Sequence, residues 1–258
     1  MSYRFAVLGD PVEHSRSPLL HGAMLEIAGL EGTYEKVRAD EGVLASCVEG
    51  LRNGEWDGLN ITMPLKSAAA RVADTLSTTA ARSGSVNTLM RSGDAISGES
   101  TDSIAFTEIL LQPQFAERTS VLVLGTGGSA AAALAALGDE PNVYVSGRNE
   151  GSVDTLTGRL GGEPVAWRSA VAGALVINST SLGMGGETLP GDVLELASGL
   201  VDLPYRNRET PAASRARALG LALTDGHEFL LRQALASFAL WTGVSLSLEA
   251  LSARLRNT

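Results

Sequence analysis

Lys66 is the residue whose type points most directly to chemistry. The chain has 20 basic residues, and only Lys36 and Lys66 among them are lysines. Arginine stays protonated at any working pH, whereas a lysine can be tuned to give and take a proton. A lysine kept in a chain that otherwise uses arginine therefore suggests a site of proton transfer. The alternative is an ordinary surface residue at the start of a helix.

Small polar residues recur at predicted turns in the first half of the chain. Each one alone is typical of a turn or a helix cap, and Ser17 is explained equally well as the cap of a helix that begins with Pro18. Together they form a set of hydrogen-bonding groups suited to a polyhydroxylated ligand, with Lys66 and Asp102 as an acid–base pair. The other members of the set are Ser15, Ser17, Asn60, Thr62, Asn87 and Thr101.

A glycine-rich turn stands between the apolar run 121–124 and the alanine-rich segment 131–137. It fits the dinucleotide fingerprint G-x-G-x-x-A in the required strand–turn–helix context. Such a turn offers a bare backbone that a pyrophosphate can approach and a helix N-terminus whose dipole favours an anion. Glycines that merely end a strand are the alternative. The predicted cofactor-binding residues of this turn are Gly125, Gly127, Gly128, Ser129 and Ala130.

The end of the next predicted strand, 143–145, bears on the choice between NAD and NADP. NAD-binding proteins usually place an acidic residue there to hold the ribose 2′-hydroxyl, but this strand runs into Ser146, Gly147 and Arg148. A guanidinium group pairs bidentately with a 2′-phosphate, so these residues favour NADP. Glu150 lies close by in sequence and an exposed arginine is often merely solvated, so NAD remains the alternative.

Composition and charge argue against several classes of partner. The net charge of −9 disfavours a nucleic-acid or polybasic membrane surface. The single cysteine, Cys47, excludes an internal disulfide and fits a reducing compartment. The N-terminal segment lacks the apolar region of a signal peptide, and no apolar run is long enough to span a membrane. We therefore expect a cytoplasmic protein, as a monomer or homodimer, whose partner is a small molecule.

No metal site is expected. His14 and His21 are close in sequence, but no carboxylate or thiolate accompanies them at the spacing of metal ligands.

Strands and helices alternate along most of the chain, which predicts an α/β fold. We expect an N-terminal α/β domain with a mixed sheet over residues 1–100, and a Rossmann-like, doubly wound domain over residues 101–225. The predicted strands are 5–8, 33–37, 58–62, 121–124, 143–145, 174–177 and 200–203. The predicted helices begin at Ser17 and Pro64 or cover 41–52, 131–137, 211–218, 228–242 and 247–256.

Taken together, these motifs resemble the shikimate dehydrogenase family along nearly the whole chain. The order of the motifs is far more specific than the glycine turn alone. The resemblance rests on GDPVEHSRSP (9–18) with His21, NITMPLK (60–66), GSVNT (84–88), Thr101-Asp102, NSTSLGM (178–184), Asp202 with Tyr205, Thr210-Pro211, Gly226 and Gln233.

The resemblance implies reversible, NADPH-dependent reduction of 3-dehydroshikimate to shikimate in aromatic amino-acid biosynthesis. It implies that the first domain binds substrate, that the second binds NADP(H), and that helices within 226–258 return to pack on the first domain. It assigns proton transfer to Lys66 with Asp102 as its partner. The implied substrate-binding residues are Ser15, Ser17, Asn60, Thr62, Asn87, Tyr205 and Gln233. The further implied cofactor-binding residues are Arg148, Thr180, Met184 and Gly226.

The chain departs from the usual family pattern at three places. Ser100 stands where the family usually has asparagine, Arg148 has no second basic residue close behind it, and Phe229 replaces a methionine expected beside the nicotinamide. A quinate/shikimate dehydrogenase that uses NAD or NADP is the alternative enzyme. A non-catalytic, NADP-binding regulatory protein on the same fold is a third interpretation, and the Lys66–Asp102 pair argues against it.

Overall fold

A computed structural model describes residues 2–206 and 208–256. The chain divides into two compact units. Unit 1 consists of Met1–Ile104 and Leu231–Thr258, and unit 2 consists of Ala105–Leu230.

Unit 1 is built on a six-stranded mixed sheet. Its strands are β1 (Ser2–Gly9), β2 (Glu31–Arg38), β3 (Gly58–Ile61), β4 (Thr75–Leu76), β5 (Thr88–Ser92) and β6 (Ala95–Glu99). Their order across the sheet is β2-β1-β3-β5-β6-β4. Strand β1 pairs in parallel with β2 and β3, whereas β5 runs antiparallel to β3 and to β6. The first five helices of the chain are α1 (Ser17–Ala28), α2 (Glu41–Arg52), α3 (Lys66–Val72), α4 (Thr78–Ser83) and α5 (Thr101–Leu110).

Unit 2 is built on a six-stranded parallel sheet. Its strands are β7 (Ser120–Leu124), β8 (Val143–Ser146), β9 (Glu163–Pro164), β10 (Ala174–Asn178), β11 (Gly199–Asp202) and β12 (Ala222–Thr224). Its helices are α6 (Gly128–Leu137), α7 (Glu150–Leu160) and α8 (Pro211–Ala218), with a 3₁₀ helix at Pro113–Phe115. The two remaining helices of the chain are α9 (Gly226–Thr242) and α10 (Leu248–Arg256).

The strand order of unit 2 is that of a Rossmann sheet. The order β12-β11-β10-β7-β8-β9 and the wholly parallel pairing match the doubly wound pattern, whose direction reverses between β7 and β10. Ligands of such sheets bind outside the carboxyl ends of the strands at this switch point. The predicted fold class, a mixed α/β unit plus a Rossmann-like unit, is confirmed.

Most predicted elements are present, and the differences have local causes. No element was predicted for the stretch that forms β4, α4 and the β5–β6 hairpin, because its strands are short and rich in polar residues. Helix α6 begins at Gly128 rather than at residue 131, since the glycine turn itself supplies the first helical turn. The two compact units divide at 104/105 and 230/231, and the domain boundaries expected at 100/101 and 225/226 stay predictions. Both observed boundaries fall inside helices, α5 and α9, where no composition change marks them.

The C-terminal part of helix α9 packs within unit 1 against the start of β3. A Cβ atom at Gly58 would lie 2.4 Å from the ring of Trp241, so only glycine allows this approach. The indole nitrogen of Trp241 donates to the backbone oxygen of Leu89, 3.1 Å away. The Trp241 ring also stacks on Phe5, with centroids 4.7 Å apart. This packing joins residues from the two ends of the chain in one core.

His21 is a member of this aromatic core. Its side chain is 1% exposed, stacks on Tyr34 with ring centroids 4.4 Å apart, and lies 5.2 Å from the ring of Trp241. Its Nδ1 atom has no hydrogen-bond partner among the described residues. Burial lowers the pKa of His21 to about 3, although a hydrogen bond with Asn60 opposes that shift. His21 is therefore a neutral core residue across the physiological range.

Among residues 2–206 and 208–256, no helix combines the length and the apolar character that crossing a bilayer requires.

The buried neutral histidine makes a prediction for stability in acid. The unfolded chain takes up a proton at His21 near pH 6.5, whereas the folded chain does so only near pH 3, so stability is lost as pH falls through this window. Between pH 7 and pH 5 the free energy of unfolding of the wild type should fall by about 2 kcal/mol more than that of His21→Phe. Urea unfolding of both proteins at the two pH values measures this difference.

His14, which is exposed, provides the matched control: His14→Phe should keep the pH dependence of the wild type. Equal pH dependence in the wild type and His21→Phe would contradict the assignment of a neutral, buried His21.

Candidate active site

Lys66 is the first residue of helix α3, and its ammonium group points to a buried carboxylate. The Nζ atom lies 2.5 Å from Oδ2 of Asp102, and the two side chains are 17% and 6% exposed. Interpreting Lys66 as an ordinary surface residue at a helix start is therefore wrong, although its place in the helix was predicted closely. The structure thus places a lysine ammonium and an aspartate carboxylate together inside unit 1.

The Asp102 carboxylate is held from three sides. Besides Lys66, the side-chain amide of Asn87 donates to Oδ1 of Asp102 over 2.9 Å. The carboxylate also lies in the first turn of α5, where the helix dipole favours negative charge. The amide oxygen of Asn87 accepts from the backbone nitrogen of Thr101 at 2.7 Å. The Asn87 side chain thus forms hydrogen bonds with both the first residue of α5 and the Asp102 carboxylate.

Asn87 also connects this pair with helix α9. Its Nδ2 atom lies 3.3 Å from Oε1 of Gln233, which belongs to unit 1. The structure therefore brings four predicted site residues together: Lys66, Asn87, Asp102 and Gln233. That Asn87 and Gln233 contact the substrate itself stays a prediction.

Asn60 lies at the centre of a second part of the same network and is 6% exposed. Its Nδ2 atom donates to the backbone oxygen of Asn87 at 3.1 Å and to Oγ of Ser237 at 3.0 Å. Its Oδ1 atom accepts a 2.7 Å hydrogen bond from the hydroxyl of Tyr34. These bonds make Asn60 a buried structural link, and the predicted substrate contact of its side chain remains to be tested.

Ser15 and Ser17 form a hydroxyl pair at the start of α1. Oγ of Ser15 lies 3.1 Å from Oγ of Ser17. It also accepts a hydrogen bond from the backbone nitrogen of Ser17 at 3.3 Å. The interpretation of Ser17 as a helix cap is wrong, because Arg16 holds the cap position without a side-chain bond and Ser17 is already helical. Ser17 is 7% exposed. Its hydroxyl is therefore available for a role other than capping.

The remaining predicted substrate residues, Thr62 and Tyr205, occupy different surroundings. The methyl group of Thr62 fills the space that a Cβ atom at Gly9 would need, 2.3 Å away, which explains why residue 9 is glycine. Tyr205 belongs to unit 2, where its ring lies 5.9 Å from that of His227. Substrate contacts of both residues stay predictions.

Two departures from the family pattern have simple structural explanations. Ser100 precedes α5, and its hydroxyl accepts the backbone nitrogen of Ser103 at 3.3 Å. Serine and asparagine are both good N-terminal caps, so the exchange keeps this function. Phe229 is 7% exposed and packs against Phe106, with ring centroids 4.8 Å apart, in the core of unit 2. Phe229 therefore fills core space.

Unit 2 has a cavity of about 250 Å³ at the carboxyl ends of its strands. The segments that line it follow β7, β8 and β10, the strands on both sides of the topological switch point. Four of the predicted cofactor residues line it: Gly125, Gly127, Arg148 and Thr180. The other lining residues, which are outside the predicted cofactor-binding set, are Thr126, Gly147, Asn149, Trp167, Ser179, Ser181 and Leu182.

The glycines of the turn are required for different reasons. Gly125 has a φ angle of +117°, and a Cβ atom there would lie 2.7 Å from Oγ of Ser179, so both backbone and packing demand glycine. Gly127 is the N-terminal cap of α6, and no atom lies within 4 Å of the place its Cβ would take. The space before Gly127 is thus open to a ligand. Ala130 is fully buried, which lets the helix pack closely on the sheet.

The polar side chains next to Arg148 in sequence form hydrogen bonds within the protein. Oδ1 of Asn149 caps α7 by accepting the backbone nitrogen of Ser152 at 2.9 Å. Ser146 is fully buried and donates to the backbone oxygen of Ala166. Arg148 is exposed and lines the cavity, and its contact with a 2′-phosphate stays a prediction.

Thr180 is held in place by a buried polar cluster. Its hydroxyl donates to Oδ1 of Asn178 at 2.6 Å, and Nδ2 of Asn178 donates to Asp202 at 2.7 Å. Asp202 also accepts a very short hydrogen bond from Thr210. Burial is the main cause that raises the pKa of Asp202. The motif residues Asp202 and Thr210 therefore support the loop that carries Thr180.

The last predicted cofactor residues do not line the cavity as far as the structure describes the chain. Gly128 and Ser129 form the first turn of α6, and Met184 is 54% exposed. A Cβ atom at Gly226 would lie 2.4 Å from the backbone oxygen of Leu203, so a close backbone approach already requires this glycine. Their contacts with a cofactor stay predictions.

The described residues contain no group of three or more His, Cys, Asp or Glu side chains that could hold a metal ion.

Several residues of the polar network gave no signal in the sequence. Tyr34 sits inside a strand pattern, and Ser237 sits inside an apolar helix pattern. Thr88 follows Asn87 within a motif, but its part in the network is revealed by tertiary contacts such as the hydrogen bond from Asn60 at 3.1 Å. Trp167, which lines the cofactor cavity, follows the two-residue strand β9 and has no periodic pattern around it.

These features define a class of α/β protein that combines a Rossmann unit bearing a glycine turn with a second unit bearing a buried lysine–aspartate pair. The family profile of the shikimate dehydrogenase substrate binding domain matches residues 7–89. The NADP(+)-dependent shikimate dehydrogenase of Gluconobacter oxydans is 39% identical over 249 residues, which cover 92% of this chain and 89% of that protein. The chain belongs to the shikimate dehydrogenase family.

Solved structures agree with this assignment. The shikimate 5-dehydrogenase of Thermus thermophilus, solved in complex with NADP(H) and shikimate, is 34% identical, covers 99% of both chains and superimposes with a TM-score of 0.87. The 5-ketofructose reductase of a Gluconobacter strain has a TM-score of 0.85 at 22% identity. The second likeness shows the fold alone, so the residues of the site must decide between activities on this fold.

Proposed function

We propose that the chain is an NADP-dependent shikimate dehydrogenase, which catalyses the reversible reduction of 3-dehydroshikimate to shikimate. The observation that carries the proposal is the Lys66–Asp102 pair, 2.5 Å between Nζ and Oδ2, inside the unit whose residues 7–89 match the substrate binding domain of this family. The identity and coverage shared with NADP(+)-dependent relatives support the same activity.

The residues of unit 2 fit a dinucleotide with a 2′-phosphate. The open space before Gly127 and the N-terminus of α6 suit a pyrophosphate, and Arg148 provides a cation at the end of β8. When bound, NADPH supplies the hydride for the carbonyl carbon of the substrate.

Lys66 has two tasks in this reaction. Negative charge builds on the carbonyl oxygen during reduction, and an ammonium group beside that oxygen stabilises it and delivers a proton. Asp102 and Asn87 hold the ammonium in one direction, since the carboxylate bonds to both of them. Because the lysine and aspartate side chains are largely buried, little water reaches them, and their electrostatic attraction is stronger than it would be in water.

The Ser15–Ser17 pair is suited to the carboxylate of the substrate. Two neighbouring hydroxyls donate to the two oxygens of a carboxylate, and hydrogen bonds to a charged group are stronger than neutral ones. The polar residues Asn60, Asn87 and Gln233 and the hydroxyl of Thr62 complete a surface suited to a polyhydroxylated ring.

Initial rates with four pairs of reactants test this function directly. Shikimate and quinate are each oxidised with NADP and with NAD, and the absorbance of the reduced nicotinamide is followed. Shikimate with NADP should give the highest kcat/KM. Absence of shikimate-dependent reduction of either cofactor would refute the proposal, and faster oxidation of quinate would replace it with the alternative enzyme.

Lys66→Ala should lower kcat by at least ~100-fold, the usual scale for a general acid–base group, with a smaller effect on KM. Lys66→Arg should be nearly as damaging, because arginine keeps the charge but does not exchange the proton. Steady-state rates with shikimate and NADP measure both variants.

The other lysine of the chain is a matched control. Lys36 is exposed and its Nζ atom donates to the backbone oxygen of Glu13, so Lys36→Ala should keep the kcat of the wild type. A Lys66→Ala protein with kcat within about threefold of the wild type would remove Lys66 from the acid–base step.

Arg148→Ala should weaken NADP about ten- to a hundredfold in kcat/KM and leave NAD nearly unchanged, because one charge-assisted contact to the 2′-phosphate is lost. Arg159→Ala, at the exposed end of α7, is the control and should change neither value. If Arg148→Ala still discriminates like the wild type, the 2′-phosphate is recognised by other residues.

A further inference from the structure

Tyr34 lies in the middle of strand β2 and has a fixed ring orientation. Its ring stacks on the buried ring of His21, with centroids 4.4 Å apart and an angle of 15° between the planes. Trp241 contacts it from another side, at 6.5 Å between centroids. Because His21 is 1% exposed and held in the aromatic core, the tyrosine hydroxyl is directed to one place.

The hydroxyl of Tyr34 connects two parts of the substrate unit. It donates to Oδ1 of Asn60 over 2.7 Å. Burial is the main cause that raises the pKa of Tyr34, and an interaction with the Ser17 side chain opposes that shift, so the two side chains lie near each other. Ser15 in turn donates to Ser17. The tyrosine oxygen thus lies between the serine pair and the network of Asn60.

The Asn60 amide is oriented by several groups, one of which is Tyr34. Its Nδ2 atom must face the backbone oxygen of Asn87, 3.1 Å away, because a carbonyl only accepts hydrogen bonds. Its Oδ1 atom therefore faces the tyrosine, whose hydroxyl donates to it, and the side chain of His21 also forms a hydrogen bond with Asn60. Phenylalanine at position 34 would leave this buried oxygen without that donor.

We propose that Tyr34 is a positioning residue of the shikimate site, which holds the Ser17 hydroxyl and the Asn60 amide in the arrangement that receives a carboxylate-bearing, hydroxylated ring. The inference rests on the proposed function. In the free protein the side chains of Ser17 and Tyr34 interact. When a carboxylate binds, the serine proton turns towards it, and the tyrosine keeps its bond to Asn60. Tyr34 lies outside the Lys66–Asp102 pair, so it affects recognition of the substrate more than the proton step.

Tyr34→Phe tests this role because it removes the hydroxyl and keeps the ring that stacks on His21. The KM for shikimate should rise about tenfold, the scale of one lost hydrogen bond, while kcat stays within about threefold. The KM for NADP should not change, which a general loss of structure would not allow. Melting temperatures are measured beside the rates, and all rates are taken well below them.

Tyr3→Phe is the matched control. Tyr3 lies in the neighbouring strand β1 and its ring stacks on Phe5 at 5.5 Å, so this variant loses a hydroxyl from a tyrosine of the same unit outside the network. Its KM for shikimate should equal that of the wild type. Equal KM values for Tyr34→Phe and Tyr3→Phe would overturn the inference.

A double substitution shows whether Tyr34 acts through Ser17. Once Ser17→Ala has removed the serine hydroxyl, adding Tyr34→Phe should raise the KM for shikimate by less than about threefold more. A full, independent tenfold increase in the double variant would overturn the coupling. If the wild type itself fails to oxidise shikimate, the proposed function has failed; if the wild type is active and Tyr34→Phe matches it, only the role of Tyr34 has failed.

Discussion

The buried carboxylate of Asp102 is the constraint on which the arrangement of unit 1 depends. An uncompensated charge in such a place costs on the order of 3–5 kcal/mol, so its partners are a condition of folding as well as a part of the proposed reaction. Lys66 from α3 and Asn87 from the segment before β5 both bond to it, and the N-terminus of α5 lies behind it. Helix α3, the segment before β5 and the N-terminus of α5 must therefore pack together before the Lys66 ammonium is held beside the carboxylate. Stability and reactivity therefore rest on the same contacts.

Helix α9 completes this arrangement, although it is far away in sequence. Gln233 reaches Asn87, and Ser237 accepts from Asn60. Trp241 occupies the space that only glycine at position 58 leaves free. The helix thus joins the polar network at one end and the aromatic core at the other. A change in the core near His21 is expected to reach the site through this helix and through Tyr34.

The sequence predicted the residues that carry charge or glycine more completely than those that carry hydroxyls. Lys66 stood out against an arginine background, and Gly125 stood out between a strand and a helix, because few other roles explain such residues there. Tyr34 and Ser237 were missed, since a tyrosine in a strand and a serine in a helix fit ordinary patterns and only tertiary contact shows their partners. Ser17 was open to two interpretations, and backbone geometry excluded the cap. The two units divide inside the continuous helices α5 and α9, where no change of composition marks a boundary.

If Lys66 and Asp102 act as one unit in the proposed reaction, a double-mutant cycle on kcat/KM for shikimate will show their coupling. Lys66→Ala, Asp102→Asn and the double variant are compared with the wild type at saturating NADP. If the carboxylate acts by holding the ammonium, the double variant should be no slower than the slower single variant, because residues that act together are not additive. A double variant whose loss equals the product of the two single losses would mean that the residues act independently, and would contradict this account.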